Sequence, residues 1–252
     1  MEQSLILAVL FFFIAALYSS VGFGGGSSYL AIMYLVGVDL FLLRSTALMC
    51  NIIVVSGGTY LFIKAGYLRF KEALTIAALS IPMAFAGGYL PLGENYIFIT
   101  LGTALLTASI LLWLKKPLGD NPEKKHKSLR KASAVGGGIG FLSGLVGIGG
   151  GIFLSPFLHI IRWDRAKYIA ALASFFILVN SMAGLAGQWI QNNVHVDLSW
   201  SWPLLVAVFL GGQIGSRLAI RQFNHVTVRR ITAVVIMIAA MKILNDHLFD
   251  LI

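Results

Sequence analysis

Long apolar runs recur along the whole of this chain, and they are the feature that most restricts its fold. Several of them reach about 18 residues, the length that a helix needs to cross the hydrocarbon core of a bilayer. Charged residues make up 12% of the chain, whereas soluble domains average about 25%. So few charges could not cover a water-soluble surface. The sequence therefore predicts an all-α integral membrane protein that crosses the bilayer several times.

Two of the apolar runs are too long for a single span, and each is interrupted by a cluster of glycines. The first covers residues 5–38 and is broken at residues 22–26, and the second covers residues 132–161 and is broken at residues 147–151. Successive glycines break helices because each of them loses more conformational freedom than any other residue. Each long run is therefore predicted to fold back on itself as a glycine-broken helical hairpin.

Three transmembrane helices are predicted to follow each hairpin. They lie at about 44–63, 71–91 and 95–114 in the first half and at about 166–190, 199–222 and 226–245 in the second half. The predicted organisation is a first transmembrane repeat over 1–114, a basic linker over 115–131 and a second transmembrane repeat over 132–252. The linker carries seven Lys and Arg residues and two prolines, which is typical of a loop rather than a span.

The second half repeats landmarks of the first at a nearly constant distance. Gly147 follows Gly22 by 147 − 22 = 125 residues, and Asp164 follows Asp39 by 164 − 39 = 125 residues. The Gly87-Gly88 pair recurs as Gly211-Gly212, 124 residues later. A compound glycine motif that recurs with its downstream landmarks indicates an internal duplication.

The distribution of Lys and Arg predicts the orientation of the two halves, because these residues concentrate on the cytoplasmic side of membrane proteins. The segments predicted to lie inside are the linker and residues 64–71, 162–167 and 217–230. The gaps at 91–95 and 191–199 have no Lys or Arg and are predicted outside. These assignments agree only if each hairpin enters and leaves on one side, which makes the halves inverted repeats. Arg44 is an exception, because it falls near the outer side.

The two glycine clusters are also the predicted binding site. Irregular backbone at membrane depth is tolerated only where protein or a watery cavity satisfies its polar groups. Each cluster is followed by the start of a helix, whose free N–H groups and positive dipole end attract anions. Ser27 and Ser28 are predicted to cap the first of these helix starts. Close helix packing is the alternative role for the glycines.

Polar side chains within the spans complete the predicted site. The substrate-binding residues are predicted to be Gly22, Gly24, Gly25, Gly26, Ser27, Ser28, Asn51, Gly147, Gly149, Gly150, Gly151, Asn180, Ser181 and Gln213. For Asn51 and Asn180, hydrogen bonding between helices is an equally compatible role. No metal site, cofactor or catalytic residue is predicted, because no Cys/His cluster has metal-ligand spacing and no span carries a central carboxylate. The net charge of +9 is assigned to membrane topology rather than to nucleic-acid binding.

The two motifs in full are Val21-Gly22-Phe23-Gly24-Gly25-Gly26 and Val146-Gly147-Ile148-Gly149-Gly150-Gly151. With these motifs, the duplication and a length of 252 residues, the chain resembles the sulfite exporter TauE/SafE family of membrane transporters. The resemblance covers essentially the whole chain. It implies export or uptake of sulfur-containing oxyanions and organosulfonates across a bacterial or archaeal cytoplasmic membrane. It also implies that the segments with the glycine motifs line the transport route.

The predicted function is a secondary transporter that exports a small sulfur-containing anion, such as sulfite, sulfate, thiosulfate or an organosulfonate. No ATP-binding motif is found, which favours a secondary carrier. An anion channel or facilitator, and a membrane-embedded subunit of an enzyme system, are the alternatives. The identity of the anion, a coupling ion and a homo-oligomeric state are left open. No Lys or Arg precedes the first apolar run, so this run is predicted to belong to the mature protein.

Overall fold

A computed structural model describes residues 2–114, 128–192, 194, 197–220 and 225–248, and all of the regular structure in these ranges is α-helical. The prediction of an all-α protein is therefore confirmed. The ten helices of this part of the chain are α1 (Glu2–Ser19), α2 (Gly26–Leu35), α3 (Leu40–Lys64), α4 (Phe70–Tyr89), α5 (Glu94–Leu114), α6 (Leu129–Val146), α7 (Gly151–Ile160), α8 (Ala166–Ile190), α9 (Leu198–Ile220) and α10 (His225–Leu248).

Two helices with a side-chain cap, α3 and α6, begin three or four residues earlier than the sequence predicted. The carboxylate of Asp39 accepts hydrogen bonds from two backbone N–H groups of the first turn, so α3 begins at Leu40, four residues early. The hydroxyl of Ser128 caps α6 in the same way, so this helix begins at Leu129, three residues early and inside the predicted linker. The rest of the predicted linker, residues 115–127, lies outside the described residues.

Four of the described helices, α3, α4, α5 and α8, are long and apolar enough to cross a bilayer. By contrast, α2 and α7 each contain 10 residues. At 1.5 Å per residue they are about 15 Å long, half the thickness of the hydrocarbon core. Large apolar side chains such as Leu5, Phe13 and Phe209 are exposed on the outside of the bundle, where lipid would cover them. These features are those of a multi-pass integral membrane protein.

The helices α3 and α8 cross the centre of the bundle side by side and run in opposite directions. Near one end, the hydroxyl groups of Thr59 and Ser174 lie 3.0 Å apart, and near the other end Ser45 donates to Gln188 at 3.3 Å. Thus the last turns of α3 meet the first turns of α8, and the first turns of α3 meet the last turns of α8. The buried polar contacts fix the register of this antiparallel pair.

Glycines allow two further helix pairs to pack closely, α4 against α6 and α1 against α9. A Cβ placed on Gly140 would lie 2.5 Å from the carbonyl oxygen of Ser80, and one placed on Gly144 would collide with the carbonyl oxygen of Ala84. In the other pair, Gly211 and Gly215 of α9 meet the backbone of α1 in the same manner. In both pairs the two helices run parallel. Each pair joins a helix of the first sequence half, α4 or α1, to a helix of the second half, α6 or α9.

This packing bears on the correspondence assigned to the later glycines. A Cβ on Gly87 would meet the carbonyl oxygen of Phe141, and a Cβ on Gly215 would meet that of Ala16. Because 141 − 16 = 125, the spacing of the glycine motifs, a duplication would make these corresponding contacts and would match Gly87 to Gly215 at 215 − 87 = 128 residues. Such a duplication would not match Gly87-Gly88 to Gly211-Gly212, because glycine is used at several successive turns of α9.

The helices form two packing groups that do not coincide with the sequence halves. The first group contains α1, α2, α3, α9 and α10, and the second contains α4 to α8. Within the groups, α9 packs on α1 and α3, whereas α4 packs on α6 and α8. Two extensive contacts cross between the groups, the α3–α8 pair and the α5–α10 pair, and α5 and α10 pack more on each other than on their own groups. Each half thus lends its last two helices to the group built on the other half's hairpin.

A small polar cluster joins two loops at one end of the bundle. Arg69 at the start of α4 forms an ion pair with Asp164 at 2.6 Å and a longer one with Glu72 at 3.4 Å. Glu72 also accepts a hydrogen bond from the indole of Trp163. Burial alone would lower the pKa of Arg69, but the two carboxylates outweigh it and the pKa is raised. Two basic segments that the sequence assigned to the same membrane side are therefore in contact.

Candidate functional site

The first glycine turn joins α1 to α2 and begins the short helix without a side-chain cap. Gly22 and Gly25 have positive φ angles of 80° and 96°, which L-residues rarely adopt. Gly25 is the N-cap residue of α2. The prediction that Ser27 and Ser28 cap this helix was wrong. Both lie inside its first turn, and the hydroxyl of Ser28 is instead 2.5 Å from that of Tyr18.

The second glycine turn joins α6 to α7 and repeats this geometry. Gly147 ends α6, Gly150 is the N-cap residue of α7, and Gly149 lies between them, all with φ between 80° and 86°. No side chain caps α7. Both turns are buried. Among the described residues, the backbone N–H groups of Gly24 to Ser27 and of Ile148 to Ile152 donate to no backbone carbonyl. These are the unpaired donors that every helix start leaves.

Asn51 of α3 lies in contact with both turns. Its Nδ2 donates a hydrogen bond of 2.9 Å to the carbonyl oxygen of Ile148. A Cβ placed on Gly149 would lie 2.6 Å from this Nδ2, and one placed on Gly24 would collide with the Oδ1 of Asn51. Gly26 is equally close to the same amide. Thus one amide side chain brings together residues of the two glycine motifs.

Two polar atoms at this meeting point are buried without a hydrogen-bond partner. They are the Oδ1 of Asn51 and the hydroxyl of Ser181. Ser181 belongs to α8, and its Oγ would lie 2.9 Å from a Cβ placed on Gly149. A buried polar group that lacks a partner costs about 1–3 kcal/mol. Unpaired side-chain groups beside unpaired backbone N–H groups are what a site for a polar ligand presents.

Ile177 of α8 occupies the place that corresponds to Asn51. It contacts Gly149 and Gly151 of its own half and Gly24 of the other half. Asn51 contacts Gly24 and Gly26 of its own half and Gly149 of the other. The two positions differ by 177 − 51 = 126 residues, close to the spacing of the motifs. The meeting point therefore has an amide on one side and a branched apolar side chain on the other.

The other two predicted amide side chains, those of Asn180 and Gln213, make different contacts. The Nδ2 of Asn180 donates at 2.8 Å to the carbonyl oxygen of Phe176 within α8, and its Oδ1 has no partner. Gln213 of α9 contacts Gly57, six residues beyond Asn51 and thus about 9 Å farther along α3. Of the glycines, Gly22 and Gly147 contact the backbone of the long helices at Ala170 and Arg44 instead. They shape the turns rather than line the meeting point.

The electrostatics of the meeting point favour a negative ligand. Two helix starts, those of α2 and α7, bring unpaired N–H groups and positive dipole ends to the same region. In the described part of the chain, no group of three or more His, Cys, Asp or Glu residues could hold a metal ion. The donors available are backbone N–H groups, an amide and a hydroxyl, which suit an oxyanion.

One charged residue near the site was not among the predicted site residues. Arg44 is 2% exposed and borders the second glycine turn, because a Cβ on Gly147 would lie 3.2 Å from its Cα. The sequence had marked it as an exception to the charge distribution. A lone Arg within an apolar run is itself a signal of function, because a charge inside a membrane protein is costly to keep.

The family comparison is consistent with this geometry across nearly all of the chain. The model of the family described as sulfite exporter TauE/SafE matches residues 7–243. The chain belongs to the TauE/SafE family. It is accordingly a membrane transporter, and the resemblance noted in the glycine motifs is confirmed. A family of transporters is also consistent with the expectation that the chain is not an enzyme.

Curated relatives carry the same general description. A protein of Sinorhizobium fredii named probable membrane transporter protein y4hK is 33% identical over 96% of this chain and 98% of its own length. Probable membrane transporter protein YunE of Bacillus subtilis is 24% identical over 97% of this chain and 98% of its own length. A probable membrane transporter protein of Xylella fastidiosa is 28% identical over 79% of this chain and 78% of its own. No solved structure matches this chain.

Proposed function

We propose that this TauE/SafE transporter is a secondary carrier that exports a small sulfur-containing anion across the cytoplasmic membrane. Sulfite, sulfate, thiosulfate and organosulfonates are the candidate substrates, consistent with the family description. The observation that carries the proposal is the convergence of two buried helix starts on Asn51, with unpaired donors on both turns. The anion binds to these N–H groups, and it is oriented by the hydroxyl of Ser181 and by the second N–H of Asn51 Nδ2, which does not bond to Ile148.

The proposed architecture is a pair of inverted repeats, residues 1–114 and 132–252. Its support is the antiparallel pairing of α3 with α8, two helices whose matching positions differ by 126 residues. The contacts of Gly102 with Leu244 and of Phe98 with His247 give α5 and α10 the same antiparallel relation. If the two halves of a duplicated protein are related by a two-fold axis in the membrane plane, corresponding helices must run in opposite directions.

The transport movement is proposed to rock the two packing groups against each other. Sequence halves cannot move as rigid bodies, because α9 is packed on α1 and α4 on α6 through close glycine contacts. The second group runs without interruption in sequence from α4 to α8, so its connections to the first lie after Lys64 and after Ile190. Gly66 and Asn192 have positive φ angles at these two places and differ by 126 residues. They are the proposed hinges.

Uptake and efflux in proteoliposomes test the proposed substrate class. The panel contains sulfite, sulfate, thiosulfate and two organosulfonates, each with and without proton and sodium gradients to find a coupling ion. Asn51→Ala and Ser181→Ala are expected to lower the transport of whichever anion is found, by about 10-fold or more, since each removes a polar group from the site. Ser109→Ala is the matched control, because this buried serine donates only within α5.

The outcomes separate the proposed carrier from its alternatives. Trans-stimulation by the same anion supports a carrier, and sustained single-channel currents would instead establish a channel. Transport by none of the panel anions contradicts the proposed substrate class. Unchanged transport in both Asn51→Ala and Ser181→Ala would show that the anion binds elsewhere in the protein.

Paired cysteines test the proposed movement in a Cys50→Ala background. Thr59→Cys with Ser174→Cys bridges the two packing groups, because their hydroxyl oxygens are 3.0 Å apart. Leu79→Cys with Gly137→Cys lies within the second group, where a Cβ on Gly137 would be 3.8 Å from the Cβ of Leu79. Oxidation is expected to stop transport reversibly in the first pair only. Full transport by the oxidised first pair would contradict rocking at the α3–α8 contact.

A further inference from the structure

Among the side chains that the structure describes, Arg44 is the one charged residue that is buried. The two ion pairs found in this part of the chain both belong to Arg69, so no described carboxylate neutralises it. Its Nη2 lies 3.5 Å from the carbonyl oxygen of Gly144, the limit of a hydrogen bond, and its Nε has no partner. A guanidinium provides five N–H donors. Most of the hydrogen-bonding capacity of this buried cation is therefore unused.

Arg44 shares a face of α3 with the amide at the centre of the proposed site. Asn51 follows it by seven residues, which is close to two helical turns and about 10 Å. Both residues face the second glycine turn, since Arg44 borders Gly147 and Asn51 contacts Gly149. The field of the guanidinium therefore reaches the meeting point of the turns through buried protein, where water screens it poorly.

The corresponding position on the opposite side of the bundle carries no charge. Ala170 of α8 contacts Gly22 as Arg44 contacts Gly147, and the two positions differ by 170 − 44 = 126 residues. We propose that Arg44 is the specificity-determining residue of the transporter, an unpaired buried cation that is neutralised only when an anion enters and that favours dianions over monoanions. This inference rests on the proposed function, because it assigns a role to Arg44 at the proposed anion site.

The charge dependence distinguishes this role from a structural one. For an anion about 10 Å from the guanidinium, the spacing of Arg44 and Asn51 along α3, and an effective dielectric constant of about 20, a unit charge contributes roughly 10-fold to the affinity of a monoanion. The same interaction contributes roughly 100-fold to the affinity of a dianion, because Coulomb energy is proportional to the ligand charge. Removing the guanidinium should therefore lower the dianion-to-monoanion preference by about 10-fold. Loss of a contact with the end of α6 would change stability but not this ratio.

The experiment measures the dissociation constants of sulfate and methanesulfonate for the full chain in detergent. Arg44→Gln removes the charge, and Arg44→Lys keeps it. Arg217→Gln is the matched control, because it removes an exposed charge from α9. The expected result is a preference ratio about 10-fold lower in Arg44→Gln and within about threefold of the parent in the other two variants. Thermal stability without ligand is recorded for each variant.

Each result decides the role of Arg44. An unchanged ratio in a folded Arg44→Gln protein overturns the inference, even if its stability falls. If Arg44→Gln does not fold, the Lys variant decides. A folded Arg44→Lys protein that retains the ratio supports a charge effect, and one that loses it contradicts that effect. Absence of binding by both anions to the parent contradicts the proposed function and, with it, this inference.

Discussion

Gly149 is the position at which one added methyl group tests the centre of this structure most directly. Its φ is +86°, and a Cβ there would lie 2.6 Å from Nδ2 of Asn51, 2.9 Å from Oγ of Ser181 and 3.0 Å from Cγ2 of Ile177. These neighbours belong to α3 and α8, whose register is fixed by buried contacts at both ends. Gly149→Ala therefore combines backbone strain with overpacking that the long helices cannot relieve.

The magnitude follows from these two contributions. An alanine in the left-handed region costs about 1–2 kcal/mol, and overpacking of a well-packed interior costs about 1–3 kcal/mol. Gly149→Ala should therefore lower the free energy of unfolding by about 2–5 kcal/mol. Gly66→Ala isolates the first contribution, because Gly66 has a φ of +73° with no atom near an added Cβ, and should cost about 1–2 kcal/mol. Gly138 is helical with open space around it, so Gly138→Ala should stabilise the protein, by up to about 1 kcal/mol.

Equilibrium unfolding in mixed micelles of a mild detergent and dodecyl sulfate measures all three variants under one condition. The expected order of stability is Gly138→Ala, then parent, then Gly66→Ala, then Gly149→Ala. Transport in proteoliposomes should be lost in Gly149→Ala, because the methyl group occupies the proposed anion site. If Gly149→Ala is no more destabilising than Gly66→Ala, the close contact of the second glycine turn with α3 and α8 is refuted.

Three further predictions address other parts of the structure. Asn51→Asp should lower anion transport by about 10-fold or more in proteoliposomes, because a carboxylate would compete for the helix-start N–H groups, and unchanged initial rates would count against an anion site here. Tyr18→Phe removes the buried hydrogen bond to Ser28 and should cost about 1 kcal/mol in detergent unfolding, whereas no loss would mean that this bond is not formed. Arg69→Gln should cost at most about 1 kcal/mol, because Arg69 is 44% exposed, and the cost should shrink in 1 M salt. A cost above 3 kcal/mol would show that its pair with Asp164 is far better shielded from water than the exposure of Arg69 indicates.

The sequence predicted the helices well because a membrane span must satisfy its backbone within itself. Helix positions therefore follow from the local run of apolar residues and the glycines that interrupt it. The predicted start of α8 at residue 166 is confirmed. The errors arose at capped ends, where Asp39 and Ser128 extend α3 and α6 through single side-chain hydrogen bonds. Such bonds depend on side-chain orientation, which hydropathy does not report.

The structure brings some of the predicted site residues together and leaves others apart. Asn51 and Ser181 do lie at the glycine turns, whereas Gln213 is displaced toward the end of α3. The sequence showed which polar residues occur within spans, but not the rotation of each helix about its axis. Arg44 was not among the predicted site residues for the same reason, because the sequence does not show whether a charge at this position of α3 faces water or the bundle interior.

By itself, the sequence determined that the chain lies in a membrane and that glycines break each of two long apolar runs, and it predicted that the two halves are duplicates. These properties depend on composition and on spacing along the chain, which require no knowledge of neighbours. Only the tertiary structure decided which helices pack together, so that α4 joins the second hairpin and α9 the first. Glycine contacts made this choice, because close approach between helices depends on where two backbones meet in space. The same packing brings the amide of Asn51 to both turns and leaves Arg44 buried with no ion pair among the described residues.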